Sequence, residues 1–236
     1  MSAPDPTLVD DLVVANHILY AEGVVDGFGH ISARHPGRPD RFLLARSMAP
    51  ALVTAADIME FDLDGNAAGG DARRPYLERF IHGAIYKARV DVHAVVHSHS
   101  PSVIPFGVTG GSLRPLYHMS GFLGGGTPIF EIRDAGGMTD MLIRDNALGD
   151  ALGRTLGPSA VALMRGHGSV AVGVSIKQVV YRAIYTEMNA RLQMEAARLG
   201  AIEFLAPEEA RLAAVMNDTV LERPWELWKR KVKAHK

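Results

Sequence analysis

Cysteine is absent from the 236 residues. That excludes disulfide staples and thiolate chemistry, and any metal must be held by histidine and carboxylate. It is compatible with a reducing compartment. An excess of charge is also lacking, since 25 Lys and Arg face 26 Asp and Glu. A near-neutral chain carries no electrostatic footprint for nucleic acid or for an anionic membrane surface. No apolar run approaches the ~18 residues of a membrane span. The start, MSAPDPTLVDDLVVANHILYAEG, lacks the basic flank and long apolar stretch of a signal peptide. The expected location is the cytoplasm. Neither GxxxxGK[ST] nor GxGxxG occurs, so the Gly-rich GNAAGGDARRP is not a phosphate loop. Internal repeats, low-complexity segments and an evident linker are missing as well. What remains, 47% hydrophobic and 22% charged residues, is the composition of an ordinary globular chain with a sizeable core.

The most informative stretch is YLERFIHGAIYKARVDVHAVVHSHSP, Tyr76 to Pro101. It ends in an H-x-H pair behind the apolar run Ala94-Val95-Val96. Alternate residues of a strand point to one face, so His97 and His99 project side by side and Ser98 turns away. Two imidazoles at the end of a buried strand make half of a first-row metal site. The best third ligand is His167, in a Gly-bounded turn of LMRGHGSVAVG. Glu78, at the other end of the stretch and on an expected helix, completes a set of four groups at element ends.

Taken in order, the chain predicts a helix over Thr7–Glu22 with Gly23 after it. A hairpin follows, from His30–Arg34 to Arg41–Ala45. Its residues His30, Arg34, Arg46 and Ser47 are candidates to line a pocket for an anionic substrate. IMEFDLDG reads as a strand ending in a turn. A helix is expected from Pro75 to about Arg89, with Glu78, His82 and Tyr86 on one face. Asp91–His99 is the central strand. Further strands are expected over Pro128–Ile132, Val161–Arg165 and Ser169–Gly173, and helices over Asn146–Leu156 and Ser175–Leu199. From about residue 207 the tail RPWELWKRKVKAHK offers Trp225 and Trp228 for docking, on the body or on a neighbouring subunit. This order predicts a single three-layer α/β/α domain over residues 1–236, around a mostly antiparallel sheet. It lacks the strict strand–helix alternation of a doubly wound fold.

With these residues assembled, the chain resembles the class II aldolase/adducin family from its first helix to about Leu199. Glu78, His82 and Tyr86 are similar to the family's E-x-x-x-H-x-x-x-Y helix, AVVHSHSP to its H-x-H strand, and GHG to its third metal histidine. The resemblance implies one divalent metal ion per subunit on His97, His99 and His167, with Glu78 as the acid/base residue that can also occupy a metal position. It also implies a homotetramer with active sites at subunit borders. The departures are informative. Gly29-His30-Ile31-Ser32 stands where the sugar-phosphate members have G-N-x-S. Tyr76-Leu77 stands for a Ser-Ser pair, and Ser47-Met48 for a Thr-Gly pair of the phosphate cradle. Tyr, Leu and Met remove phosphate donors and fill the space, which argues against a phosphorylated sugar. His118 falls where fuculose-type aldolases carry a catalytic tyrosine.

GHISARHP, RFLLARSMAP, PYLERF, YHMSGFLGGG and RPWELW resemble instead a decarboxylase branch, whose members act on pyridine dicarboxylates, dihydroxyphthalates and ring-cleavage dienoates. The expectation is therefore a metal-dependent decarboxylase of a small-molecule di-acid, with zinc or manganese as the ion. Glu78, its pKa raised by burial, would be the proton donor, with His118 as the alternative. Arg34, Arg46 or both would hold a second carboxylate, and Tyr76 would join the substrate-binding set. The competing expectations are an aldolase for a non-phosphorylated hydroxy-keto acid and a non-catalytic, adducin-like assembly module. Adducin-type domains lose the metal histidines that this chain retains.

Overall fold

The structure, a computed structural model, describes residues 5–234. In chain order the described elements are α1 (Pro6–Ala21), β1 (His30–Arg34), β2 (Arg41–Ala45), β3 (Ile58–Asp62), α2 (Arg79–Ala88), β4 (Ala94–Ser98), α3 (Ile104–Val108), β5 (Ile129–Phe130), α4 (Ile132–Gly136), α5 (Asn146–Leu156), β6 (Val161–Met164), β7 (Gly168–Gly173), α6 (Ile176–Leu199), α7 (Pro207–Asp218) and α8 (Glu222–Ala234). The strands form one seven-stranded sheet in the order β3-β2-β1-β4-β7-β6-β5. Its pairs are antiparallel except β5 with β6. No described helix is long and apolar enough to cross a membrane.

The sheet is buried on both faces, and the period-2 alternation of its strands sorts their side chains between two cores. Ile31, Ala33, Ala94, Val96 and Ala171 pack against α1, α6 and α8. Phe42, Leu44, Val95, Val170 and Val172 pack against α2 and α5. Burial of each of the larger side chains among them, Ile, Val, Leu or Phe, contributes about 1.5–3 kcal/mol. By the same alternation His30, Ser32 and Arg34 share the α2 face with His97. Pairing of β1 with β4 sets His30 opposite His97, and pairing of β4 with β7 sets Ser98 opposite Ser169, two residues after His167. The metal-type histidines thus meet where β4 ends and the β6–β7 turn begins.

One local expectation changes. Helix α2 starts at Arg79, not at Pro75, and Glu78 is its N-cap residue (φ −92°, ψ 20°). The preceding segment is held extended, because Ser47 N–H donates to Arg74 O at 2.8 Å and Arg46 bridges Pro75 as an isolated β-pair. The tail, to which the sequence assigns no secondary structure, is helical. Prolines sit in the first turn of α7 and early in α8, where a missing N–H is tolerated. Trp225 and Trp228 are buried on α8, in the same core as α1 and α6.

Candidate active site

Four side chains converge at the end of β4. The Nε2 atoms of His97 and His99 lie 3.2 Å apart, and those of His99 and His167 3.1 Å apart. Glu78 Oε2 is 3.5 Å from Nε2 of both His97 and His167. One ligand atom from each of the four falls within a 4.8 Å span. A tetrahedral ion with about 2.05 Å to each ligand needs ligand–ligand separations of roughly 3.3 Å, so the residues present fit a divalent metal. The protonation pattern fits too. His97 Nδ1 lies 3.1 Å from Ser169 O. A carbonyl can only accept, so Nδ1 carries a proton, and Nε2 is the atom that would offer its lone pair to a bound ion. Three imidazole nitrogens at such distances repel through their lone pairs unless a cation lies between them.

Glu78 is buried, and its other oxygen, Oε1, accepts the Ile143 N–H at 2.9 Å. Burial pushes its pKa up, but the neighbouring His97 and His167 outweigh burial and hold it well below the usual carboxylate range. This corrects the expectation of a Glu78 that is protonated near neutrality: proximity to two histidines wins over desolvation, and Glu78 rests as a carboxylate. His99, pushed down to about 4 by burial and by His97 and His167, rests neutral.

The cluster floors a cleft of about 430 Å³. Phe28, Met48, Leu77 and Leu142 make its apolar wall, and His30, Ser47 and Tyr76 line it as well. The Tyr76 hydroxyl donates to Met48 O, its ring lies 4.5 Å from that of His30, and burial raises its pKa to about 12. Tyr76 therefore shapes the wall with its hydroxyl already engaged.

The expected arginines stand elsewhere. Arg34 is buried beneath β1 and gives its guanidinium to four backbone carbonyls, those of Val92, Pro39, Tyr86 and Arg89, at 2.7–3.0 Å. Arg46 is paired with Asp57 at 2.7 Å and does not line the cleft. The cation that does line it is Arg74, which has no side-chain partner among the described residues. Arg73 beside it is engaged by Asp71 and by the carbonyls of Ala56 and Ile58. The sequence marked Arg74 only as one of two adjacent arginines before Pro75. His118 is exposed, outside the cleft, on the turn that Asn217 binds through its carbonyl.

The Class II Aldolase and Adducin N-terminal domain matches residues 10–194, and the chain belongs to this family. The chain is 37% identical to "Decarboxylase tropJ" of Talaromyces stipitatus, over 98% of this chain and 96% of that protein. It is 31% identical to "3,4-dihydroxyphthalate decarboxylase" of Arthrobacter keyseri, over 80% of this chain and 78% of that protein. In fold it is similar to an aldolase II superfamily protein from Pseudomonas syringae, with TM-score 0.82 and 22% identity, over all of this chain and 95% of that one. Family, cluster and relatives together support an enzyme of the decarboxylase or aldolase type.

Proposed function

We propose that the protein is a metal-dependent decarboxylase of a hydroxylated aromatic dicarboxylate, of pyridine or benzene, or of a ring-cleavage dienoate. The observation that carries this reading is the pairing of one unengaged guanidinium, Arg74, with the His/Glu cluster across an apolar cleft. The names of the two decarboxylase relatives support it. A flat ring would lie along Phe28, Met48 and Leu77, with its second carboxylate on the fork of Arg74. Tyr76-Leu77 and Ser47-Met48 line the cleft where sugar-phosphate members carry small hydroxylated residues, which supports a non-phosphorylated substrate.

His97, His99 and His167, with Glu78, would hold the ion, zinc or manganese. When bound, it supplies Lewis-acid stabilisation of charge on the oxygen next to the carbon that loses CO2. Glu78, a carboxylate at rest, takes the proton of the substrate hydroxyl and delivers it to the ring carbon that carries the leaving carboxylate. CO2 then departs from the resulting keto tautomer. His118 can reach a cleft only from a neighbouring subunit, as the homotetramer implied by the family resemblance would allow.

The test uses metal-reconstituted protein, after elemental analysis, with ortho-hydroxy aromatic di-acids beside hydroxy-keto acids and sugar phosphates. CO2 from an aromatic di-acid, abolished by chelator, is the expected result. Aldehyde from a keto acid would replace this reading with an aldolase. Turnover of a sugar phosphate would refute the role given to Tyr76-Leu77.

A further inference from the structure

Behind the cleft runs a buried chain of polar groups that metal binding does not use. Tyr86 OH lies 2.8 Å from Ser32 Oγ, Ser32 Oγ lies 2.6 Å from His82 Nδ1, and His82 Nε2 lies 2.6 Å from His30 Nδ1. All four residues are buried, and only His30 reaches the cleft. His82 is further fixed by its near-parallel stacking on Phe42. Such a chain can order its protons in either direction, and the two directions make His30 Nε2 a donor or an acceptor towards a ligand.

The ends of the chain decide between them. Tyr86 OH has no other partner among the described residues, and neither does Ser32 Oγ. If His82 donated to Ser32 through Nδ1, Ser32 or Tyr86 would be left with a buried O–H and no acceptor, which native interiors avoid. Running the other way, Tyr86 donates to Ser32, Ser32 to His82 Nδ1, and His82 Nε2–H to His30 Nδ1. Every buried donor is then satisfied. The last proton of the chain sits on His30 Nε2, whose ring lines the cleft.

We propose that Tyr86, Ser32 and His82 fix His30 as a neutral hydrogen-bond donor to the cleft, through Nε2–H. His30 would thereby select an acceptor oxygen on the ligand, a carboxylate, phenolate or carbonyl, and disfavour a donor such as an amine. Ser32, His82 and Tyr86 act through His30 and are positioning residues. This stands whether the reaction is a decarboxylation or an aldol cleavage, so it can fail while the decarboxylase reading survives.

Neutron diffraction from perdeuterated, zinc-loaded protein reads the chain directly. The expected result is a deuteron on Nε2 of both His30 and His82 and none on Nδ1 of either. A deuteron on His30 Nδ1, or one shared between its two nitrogens, would overturn the proposal. The double variant Ser32→Ala/Tyr86→Phe removes both hydroxyls and so leaves neither stranded. In it, the His30 deuteron should spread over both nitrogens while zinc content stays at the wild-type level. An undisturbed Nε2 deuteron there would refute the positioning role, since a merely structural pair of hydroxyls would leave the tautomer alone.

Discussion

Gly168→Ala tests whether the sheet, rather than the histidines alone, builds the metal site. Gly168 opens β7, directly after His167, and faces the backbone of β4 just before His99. A Cβ there would sit 2.0 Å from Ser98 O and 3.1 Å from His99 Cα. Real Cβ contacts are essentially never under 3.0 Å, so β7 and β4 must part by about 1 Å. Both partners are backbone, and no side-chain rotation relieves the clash. Overpacking of this kind costs about 1–3 kcal/mol, which lowers Tm by roughly 2–12 °C in a chain of this size. The same movement separates His167 from His99, whose Nε2 atoms are 3.1 Å apart. A metal site tolerates about 0.2 Å, so zinc affinity should fall by about 10²-fold or more. The control is Gly121→Ala, whose Cβ would meet Ala210 O at 2.4 Å, against α7 and away from the cleft. Thermal melts should show similar losses for both variants, and chelator competition should show weakened zinc binding only for Gly168→Ala. Unchanged zinc affinity in Gly168→Ala would sink the reasoning, as would an equal loss in Gly121→Ala.

His97→Ala should lose metal and activity together, and stoichiometric metal in that variant would mean that the ligand set is wrong. Glu78→Gln should keep metal on the three histidines and lose most turnover; near-normal turnover removes Glu78 from its role. Arg74→Gln should weaken a hydroxyphthalate by about 10–100-fold, the range of a charge-assisted pair, and leave a hydroxybenzoate with one carboxylate nearly unaffected. Equal losses for the two ligands in calorimetry would take the second carboxylate away from Arg74. Metal-free protein should lose stability as pH falls from 6.5 towards 3. Burial and His97 push His82 from 6.5 to about 3, so the unfolded chain takes up a proton in that window that the native chain refuses, and the loss levels off below it. A shift of that size is worth on the order of 5 kcal/mol. Urea midpoints should fall between pH 7 and 4.5 in wild type and fall less in His82→Gln; parallel slopes would refute the assignment to His82.

The sheet and its helices were legible because their signals are local. Val161–Met164 and Gly168–Gly173 are apolar runs broken by Gly166-His167-Gly168, and the structure makes them a hairpin. Asp145 caps Asn146–Leu156 and Ser175 caps Ile176–Leu199 through their side chains, so both boundaries are written in the sequence. The start of α2 was not, because Pro75 is an acceptable first helical residue by itself. What forbids it is the bond from Ser47 N–H to Arg74 O, between residues 27 apart in sequence. The tail received no secondary-structure reading from the sequence for a related reason: the helical spacing of Trp225, Trp228 and Val232 gains a meaning only once α1 and α6 supply a surface for them.

The His/Glu cluster and the cleft arginine mark the two sides of what sequence spacing carries. An H-x-H on a strand fixes two imidazoles on one face whatever surrounds them, and a histidine in a Gly-bounded turn is held by the turn. An arginine is different, because its role depends on whether its five donors are already engaged. Arg34, Arg46, Arg73 and Arg74 look alike along the chain. Arg34 fails as a ligand clamp because four carbonyls surround it, and Arg46 because Asp57 lies 2.7 Å away. Apart from Pro39, the one partner close in sequence, they come from α2, the turn between α2 and β4, and the loop before β3. Arg74 emerges by elimination, once every neighbouring guanidinium has been assigned its acceptors. Glu78 follows the same logic, since burial alone would raise its pKa and the two histidines that reverse the shift reach it through the pairing of β4 with β7. Strand geometry is therefore enough to nominate ligands, but the charge and availability of a group belong to the assembled fold.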